Sequence, residues 1–302
     1  MKITFTFFCL LFLSSMGAQN VVVIDADSQE VIPFANIYYK NNFSYSNEMG
    51  KVDLSKFENT DSLNVNSIGY KKLIIQKKII SDTIYLSKEV QLLNLITINA
   101  FKGTVGSTKK LKSSRILGNQ ILPCHFNIFS KVTSNPSLEG NVISSIEIPF
   151  DKHRGLRNTL KDRYKKMKLL VRLNIYKSSD SGFGELLFTS KPQNIITGKN
   201  DLIVFSLSDV NLKFSKDGFY LQLEHLGAVN DLGEFVDCND LFFARIDISD
   251  KLSKQYNITS FKVNANGNVD SSEPLNYKQV FGENGKDGNY FLNYRFTYYD
   301  NN

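Results

Sequence analysis

Short segments with a period of two recur along this chain, and that pattern limits its fold more than any other feature. Val171, Leu173 and Ile175 alternate with Arg172, Asn174 and Tyr176. Ser62-Leu63-Asn64-Val65-Asn66-Ser67-Ile68 alternates in the same way. Successive side chains on a strand point to opposite faces, so each such segment carries one apolar and one polar face. Asn, Asp, Ser and Gly stand between the segments, and these residues favour turns. The 23 Phe and 14 Tyr suit half-buried pleated surfaces. The expected fold class is all-β.

A length of 302 residues suits two domains. It also allows a sizeable core without help from disulfides. The first domain is expected over residues 19–100. Strands are predicted at Val21 to Asp25, Ala35 to Tyr39, Ser44 to Asn47, Lys51 to Leu54, Ser62 to Ile68, Lys72 to Ile75, Thr83 to Leu86 and Leu95 to Ile98. Gly50 and Gly69 are read as turn residues. Asn36 is expected to bond neighbouring backbone. Tyr70 is expected to lay its ring on the edge of the sandwich with its hydroxyl in water.

These residues carry a resemblance. A Val-rich strand ending in Asp25 is followed by Pro33-Phe34-Ala35-Asn36-Ile37, then Ser46-Asn47-Glu48-Met49-Gly50-Lys51-Val52, then Ser67-Ile68-Gly69-Tyr70. The order resembles the carboxypeptidase regulatory-like domain. The resemblance implies a transthyretin-like seven-stranded β-sandwich, a module common at the front of exported envelope proteins of Gram-negative bacteria. In metallocarboxypeptidases that module is accessory, so it implies no peptidase activity.

Residues 101–118 follow, running from Phe101 to Gly118, polar and basic, with Lys102, Lys109, Lys110, Lys112 and Arg115. Without periodicity they read as an exposed basic linker. A tether for anionic lipid or polysaccharide is the other reading.

The second domain is expected over residues 119–302. Predicted strands are Cys124 to Phe129, Val142 to Ile148 closed by Pro149, Leu169 to Tyr176, Leu202 to Leu207, Gly218 to Leu226, Leu241 to Ile246 and Tyr290 to Tyr298. Gly182 and Gly184 mark a turn. About eight strands with loops of variable length suggest an antiparallel jelly-roll-like sandwich. Val171 to Tyr176, Phe205 to Val210 and Gly218 to Glu224 are similar to the second half of exported proteins that carry the regulatory-like module. That family has no assigned activity.

The N-terminus sets the expected compartment. Met1-Lys2 gives a positive start, Ile3 to Leu13 an apolar run, and Ser14 to Ala18 small residues. That is the order of a cleavable export signal over residues 1–18, with cleavage expected after Ala18. The run falls short of the ~20 apolar residues of a membrane span, and no later stretch reaches that length. The mature chain is expected in the periplasm, on the outer-membrane surface or outside the cell. Cys9 leaves with the signal. Cys124 and Cys238 remain, either paired, as an oxidising compartment permits, or as small buried apolar residues.

Catalytic motifs are lacking. There is no G-x-S-x-G, no H-E-x-x-H and no phosphate-binding glycine loop. Cys124 and His125 are neighbours, and neighbours on a strand face opposite ways, which defeats a nucleophile–base pair. His153 and His225 remain as partners for Cys124. Glu185, Glu224, Asp237, Asp240 and Asp247 are scattered candidates for a glycosidase-like carboxylate pair. Zinc is disfavoured because no second ligand pair stands at metal spacing. Asn264 to Asp270, with Glu273 beyond, and Glu283 to Gly288 read as Asn/Gly turns in preference to calcium loops. No catalytic residue, cofactor or metal site is expected.

The strongest charged feature is Lys152, His153, Arg154, Arg157, Lys161, Arg163, Lys165, Lys166 and Lys168, opposed by Asp151 and Asp162. It reads either as a solvated loop or as a ligand-contact patch for anionic glycan, headgroup or protein. The net charge of +6 needs no nucleic acid to explain it, and the expected compartment argues against that partner. A non-catalytic exported protein binding a glycan, a surface component or an envelope protein is the expected function. A peptide or glycan hydrolase and a structural envelope protein are the alternatives.

Overall fold

The computed structural model describes residues 20–39, 42–89, 104–108, 120–123, 128–149, 168–179, 182–196, 202–207, 209–236, 243–246, 248–249, 255–263, 269–274, 291–292 and 294–300. The chain divides into two units, Met1–Gln91 and Leu92–Asn302, each with its own apolar core. Apart from single 3-10 turns, every regular element among the described residues is a β-strand. The chain is all-β.

The first unit contains β1 (Asn20–Asp25), β2 (Asn36–Tyr39), β3 (Asn42–Tyr45), β4 (Lys51–Asp53), β5 (Ser62–Asn66), β6 (Leu73–Gln76) and β7 (Thr83–Leu86). One sheet has the order β4-β1-β7, and the other β3-β2-β5-β6. The β1–β7 pair is parallel and the other pairs are antiparallel. Val21, Val23, Ile84 and Leu86 from the first sheet share a core with Ile37, Leu63 and Val65 from the second. These are the alternate positions of their strands, as the period requires.

Boundaries differ from the sequence expectation where a side chain or a tight turn takes up a backbone bond. The strand expected to run to Asn47 stops at Tyr45. Ser46 turns inward, fully buried. Its Oγ accepts from Ala35 N at 2.9 Å and donates to Ile32 O at 2.9 Å. Asn36, expected to bond backbone, instead has its Oδ1 buried with no hydrogen-bond partner among the described residues. The strand expected to reach Ile68 ends at Asn66, because Ser67 to Tyr70 form a turn closed by Tyr70 N donating to Ser67 O at 3.1 Å. Gly69 takes φ +83° there. The predicted strand Leu95 to Ile98 lies outside the described residues. Replacing Ser46 by Ala strands a buried donor and a buried acceptor together. Denaturant unfolding is expected to show a loss of about 1–3 kcal/mol.

The second unit contains β8 (Thr104–Ser107), β9 (Gln120–Pro123), β10 (Ile128–Ser134), β11 (Val142–Pro149), β12 (Lys168–Ser179), β13 (Gly182–Thr189), β14 (Gln193–Ile196), β15 (Leu202–Ser206), β16 (Phe219–Val229), β17 (Phe235–Val236), β18 (Phe243–Ile246), β19 (Ile248–Ser249), β20 (Tyr256–Val263), β21 (Val269–Pro274), β22 (Phe291–Leu292) and β23 (Arg295–Asp300). An antiparallel sheet runs β13-β12-β16-β10-β20-β21, with β14 also on β12 and β17 also on β16. A second antiparallel sheet runs β15-β11-β23-β8, and β9–β18 and β19–β22 are separate pairs. The two larger sheets share one core in a sandwich-like arrangement. Val171, Leu173, Ile175, Leu221 and Leu223 meet Ile146, Ile148, Phe205 and Phe296 there.

Among the described residues sixteen strands stand where about eight were expected. Some of the additional ones are short pieces paired with distant partners, such as β8, and others pair with a neighbour in sequence, such as β13 with β12 and β21 with β20. Thr104–Ser107 lies in the stretch read as an exposed linker, yet it pairs with β23. Thr108 after it is buried. Its N–H donates to Phe296 O at 2.9 Å, and its Oγ1 accepts from Phe296 N at 3.0 Å. Gly106 lies beneath the Tyr298 ring, where a Cβ would come within 2.6 Å of ring carbon. Residues 101–103 and 109–118 lie outside the described residues. Of the glycines expected to mark a turn, Gly182 opens β13 opposite Ser179, where the β12–β13 hairpin turns, and Gly184 falls inside the strand. The register between β12 and β13 shifts there, consistent with strand glycines marking irregular pairing.

Candidate functional site

β12 and β16 place Arg172 opposite Glu224, Asn174 opposite Gln222 and Tyr176 opposite Tyr220. Their neighbours Val171, Leu173 and Ile175 enter the core, so these residues belong to the other face of the sheet. There they bond one another. Arg172 Nε donates to Glu224 Oε2 at 2.6 Å. Asn174 Nδ2 donates to Gln222 Oε1 and to Glu224 Oε2, both at 3.0 Å. Gln222 Nε2 reaches Glu224 Oε1 at 3.2 Å, and the Tyr176 hydroxyl reaches Gln222 Oε1 at 2.8 Å. From β13, Thr189 Oγ1 donates to Asn174 Oδ1 at 2.8 Å. Asn174, Gln222 and Glu224 are all buried.

The same face turns aromatic toward β10 and β20. Phe129 stands opposite both Gln222 and Phe261. Its ring lies 5.9 Å from that of Tyr176, and the Tyr220 ring lies 6.3 Å from Phe261. Lys131 Nζ sits 5.6 Å from the Tyr220 ring centroid, within cation–π range. Burial, and next the Glu224 charge, lift the Tyr176 hydroxyl far above the ordinary tyrosine range. Burial alone lifts Tyr220. Both hydroxyls therefore hold their protons more firmly than an ordinary tyrosine.

The chemistry open to Glu224 follows from its partners. Both carboxylate oxygens already accept bonds from Arg172, Asn174 and Gln222. A nucleophile or general acid needs an oxygen turned toward a substrate. The second candidate carboxylate, Glu185, is exposed on β13, with β12 between it and β16. The structure does not bring these two together. His225 is buried on the core side opposite Val171, across the strand from Glu224, as the alternation requires. Asp270 and Glu273 of the candidate calcium loop are part of β21. Among the described residues, no three His, Cys, Asp or Glu side chains group to hold a metal ion. Lys168 of the basic patch opens β12 and is exposed. Lys152, His153, Arg154, Arg157, Lys161, Arg163, Lys165 and Lys166 lie outside the described residues. So do Cys124, His125, Cys238, Asp237, Asp240, Asp247, residues 264–268 and residues 283–288.

The first unit has a smaller polar cluster at the end of β1. Asp25 Oδ1 accepts the N–H groups of Asp27 at 2.8 Å and Ser28 at 3.0 Å. Its Oδ2 accepts from the Tyr70 hydroxyl at 3.0 Å and pairs with Lys88 Nζ at 2.9 Å. The Ser28 N–H and then the Lys88 ammonium hold its carboxyl well below the usual carboxylate range, against the opposing effect of burial. Burial and then Asp25 push the Tyr70 hydroxyl up. The Tyr70 hydroxyl is therefore bonded to Asp25, and the expectation that it faces water is corrected. A bridge between Tyr70 and Lys88 brings the Ser67–Tyr70 turn alongside, a contact that residue spacing does not announce.

Asp25 is more acidic folded than unfolded. Its stabilising contribution is thus complete above the unfolded carboxylate pKa of ~3.9, and it is lost as pH falls through the lower folded value. Asp25→Asn is expected to flatten the acid limb of the first unit's stability profile, read by urea melts from about pH 2 to 6. An unchanged acid limb would show that the cluster contributes nothing.

Comparison with protein-family models, curated proteins and solved structures finds no match in any of the three. No helix among the described residues is long and apolar enough to cross a membrane.

Proposed function

We propose that this chain is an exported, non-catalytic β-sandwich protein that binds a glycan, a surface component or an envelope protein. The observation that carries this reading is the closed polar network of the larger sheet. Its one carboxylate, Glu224, accepts on both oxygens from neighbouring side chains. A fully satisfied buried network rigidifies a sheet, which suits a scaffold more than a reaction centre. Export is supported by the order of charged, apolar and small residues in Met1 to Ala18.

The finer fold reading belongs to the same proposal. The first unit is a transthyretin-like, carboxypeptidase regulatory-like sandwich. Sheets of three and four strands around one core support it, as do the motifs at Asp25, Pro33 to Ile37 and Gly69-Tyr70. The second unit is a jelly-roll-like sandwich, supported by two antiparallel sheets on a shared core.

Two measurements test the function. The purified chain from Gln19 onward is expected to show saturable retention on isolated envelope fractions or on a glycan array. It is also expected to turn over no peptide or glycoside substrate. Turnover abolished by Glu224→Gln would overturn the reading in favour of a hydrolase.

A further inference from the structure

β6 ends its sheet, and no described strand pairs with its outer side. Its inner side faces β5, with Leu73 opposite Val65 and Ile75 opposite Leu63. Lys77 N donates to Asp61 O at 2.8 Å, the next hydrogen-bonded pair of that ladder. Hydrogen-bonded and non-bonded pairs alternate between antiparallel strands. Leu73 and Ile75 therefore bond inward, and the N–H and C=O groups of Ile74 and Gln76 point to the open side.

An open row of backbone groups is a template for an added strand. Short edge strands, lysines, proline and bulges commonly guard such edges; β6 is four residues long and flanked by lysines, which turn away a like-charged strand, while its register with β5 is regular and free of proline. Ile74, at the middle of the edge, is 68% exposed, and Ile79 just beyond is 65% exposed. Exposed Lys71 and Lys72 precede the strand, and half-buried Lys77, whose Nζ donates to Phe57 O at 3.1 Å, and exposed Lys78 follow it. An open groove of about 710 Å³ lies at its far end, lined by Thr60, Asp61, Ser62, Gln76, Lys77 and Lys78, with Ile80 beneath. Hydroxyls, an amide and two ammonium groups outnumber the single carboxylate there.

The charges select the occupant. A second copy paired antiparallel about Ile74 would bring the Lys71–Lys72 end of each chain toward the Lys77–Lys78 end of the other, and like charges brought close destabilise a strand pair. An acidic strand meets lysines at both ends and an apolar residue at the centre. We infer that the open edge of β6 takes up an extended acidic segment of a partner protein as an added strand, its acidic end lying in the groove at Lys77 and Lys78. This names a partner class for the binding module proposed above and rests on that reading.

The test uses the chain from Gln19 onward and a fluorescein-labelled ten-residue peptide of alternating valine and glutamate. A valine–lysine peptide serves as the control. Anisotropy is expected to show saturable binding of the acidic peptide only, weakening as salt rises. Ile74→Pro removes an outward N–H and is expected to abolish binding. The double variant Lys71→Glu, Lys78→Glu changes only exposed side chains, so circular dichroism should be unchanged while affinity falls about tenfold or more. Lys191→Glu, exposed in the second unit, should have no effect. Lack of acidic-peptide binding by a protein that still binds envelope fractions overturns this inference and leaves the function standing. Equal binding of both peptides, or a dimer that Ile74→Pro dissolves, also overturns it. Loss of both peptide and envelope binding overturns the two together.

Discussion

Replacing Glu224 by alanine is expected to destabilise the second unit by about 3–5 kcal/mol, the usual cost of removing one partner of a buried ion pair. The Arg172 and Glu224 side chains are only 11% and 8% exposed. Without the carboxylate, the guanidinium keeps its burial and loses its counter-charge. Asn174 Nδ2 and Gln222 Nε2 lose an acceptor in the same step. The structure supplies an internal control in Arg295 and Glu147, 3.8 Å apart with side chains 32% and 22% exposed. Glu147→Ala is expected to cost less than about 1 kcal/mol, as for solvent-screened pairs. The double substitution Arg172→Met, Glu224→Leu should recover much of the loss, since apolar pairs of similar volume often replace buried ion pairs without penalty. Urea unfolding followed by circular dichroism measures all four proteins. A Glu224→Ala cost no larger than that of Glu147→Ala would show that the network does not hold the sheet.

Phe296→Ala is expected to cost a similar amount, about 3–5 kcal/mol, for a different reason. Phe296 is fully buried on β23. Its ring meets Tyr256 edge-on at 5.1 Å and Phe214 edge-on at 5.4 Å, with Phe219 at 6.3 Å and Tyr294 at 6.4 Å. Truncation leaves a cavity among rigid rings that collapse poorly, and the cavity adds to the lost transfer free energy. Phe296→Leu keeps much of the volume and should cost about 1–2 kcal/mol. A thermal melt of both variants checks the ranking. Equal losses would place the cost in ring geometry and not in the cavity.

Much of the strand content was legible because period two reports burial directly. Leu169 to Tyr176 announced both the strand and its polar stripe, and Arg172, Asn174 and Tyr176 form one side of the network. The other side was not legible. Gln222 and Glu224 lie 48 and 50 residues from Asn174, and strand register, not local pattern, decides which residues meet. That register includes a shift between Leu170 and Val171. β8 was missed because Gly106 interrupts its four residues, and because the hydrogen bond beside it spans 188 residues. Tyr70 was recognised as an edge aromatic, but its partner Asp25 is 45 residues away. Ser46 carried no signal of an inward hydroxyl, being read as part of the strand Ser44 to Asn47 and the motif Ser46 to Val52, although it ties Ile32 and Ala35 together.

The pairing of β8 with β23 gives the second unit a mechanical character. Thr104 stands opposite Asp300 and Ser107 opposite Thr297, so the chain enters and leaves this ladder at the same end. Antiparallel hydrogen bonds lie across the strands. Tension applied through the segment before Thr104 and the segment after Asp300 therefore loads the ladder one rung at a time, as a zipper is opened, and never shears all rungs together. The grip of Thr108 on Phe296 is the last to yield. A pulled molecule should surrender β8 at low force, while β11 and β15 remain seated on the core.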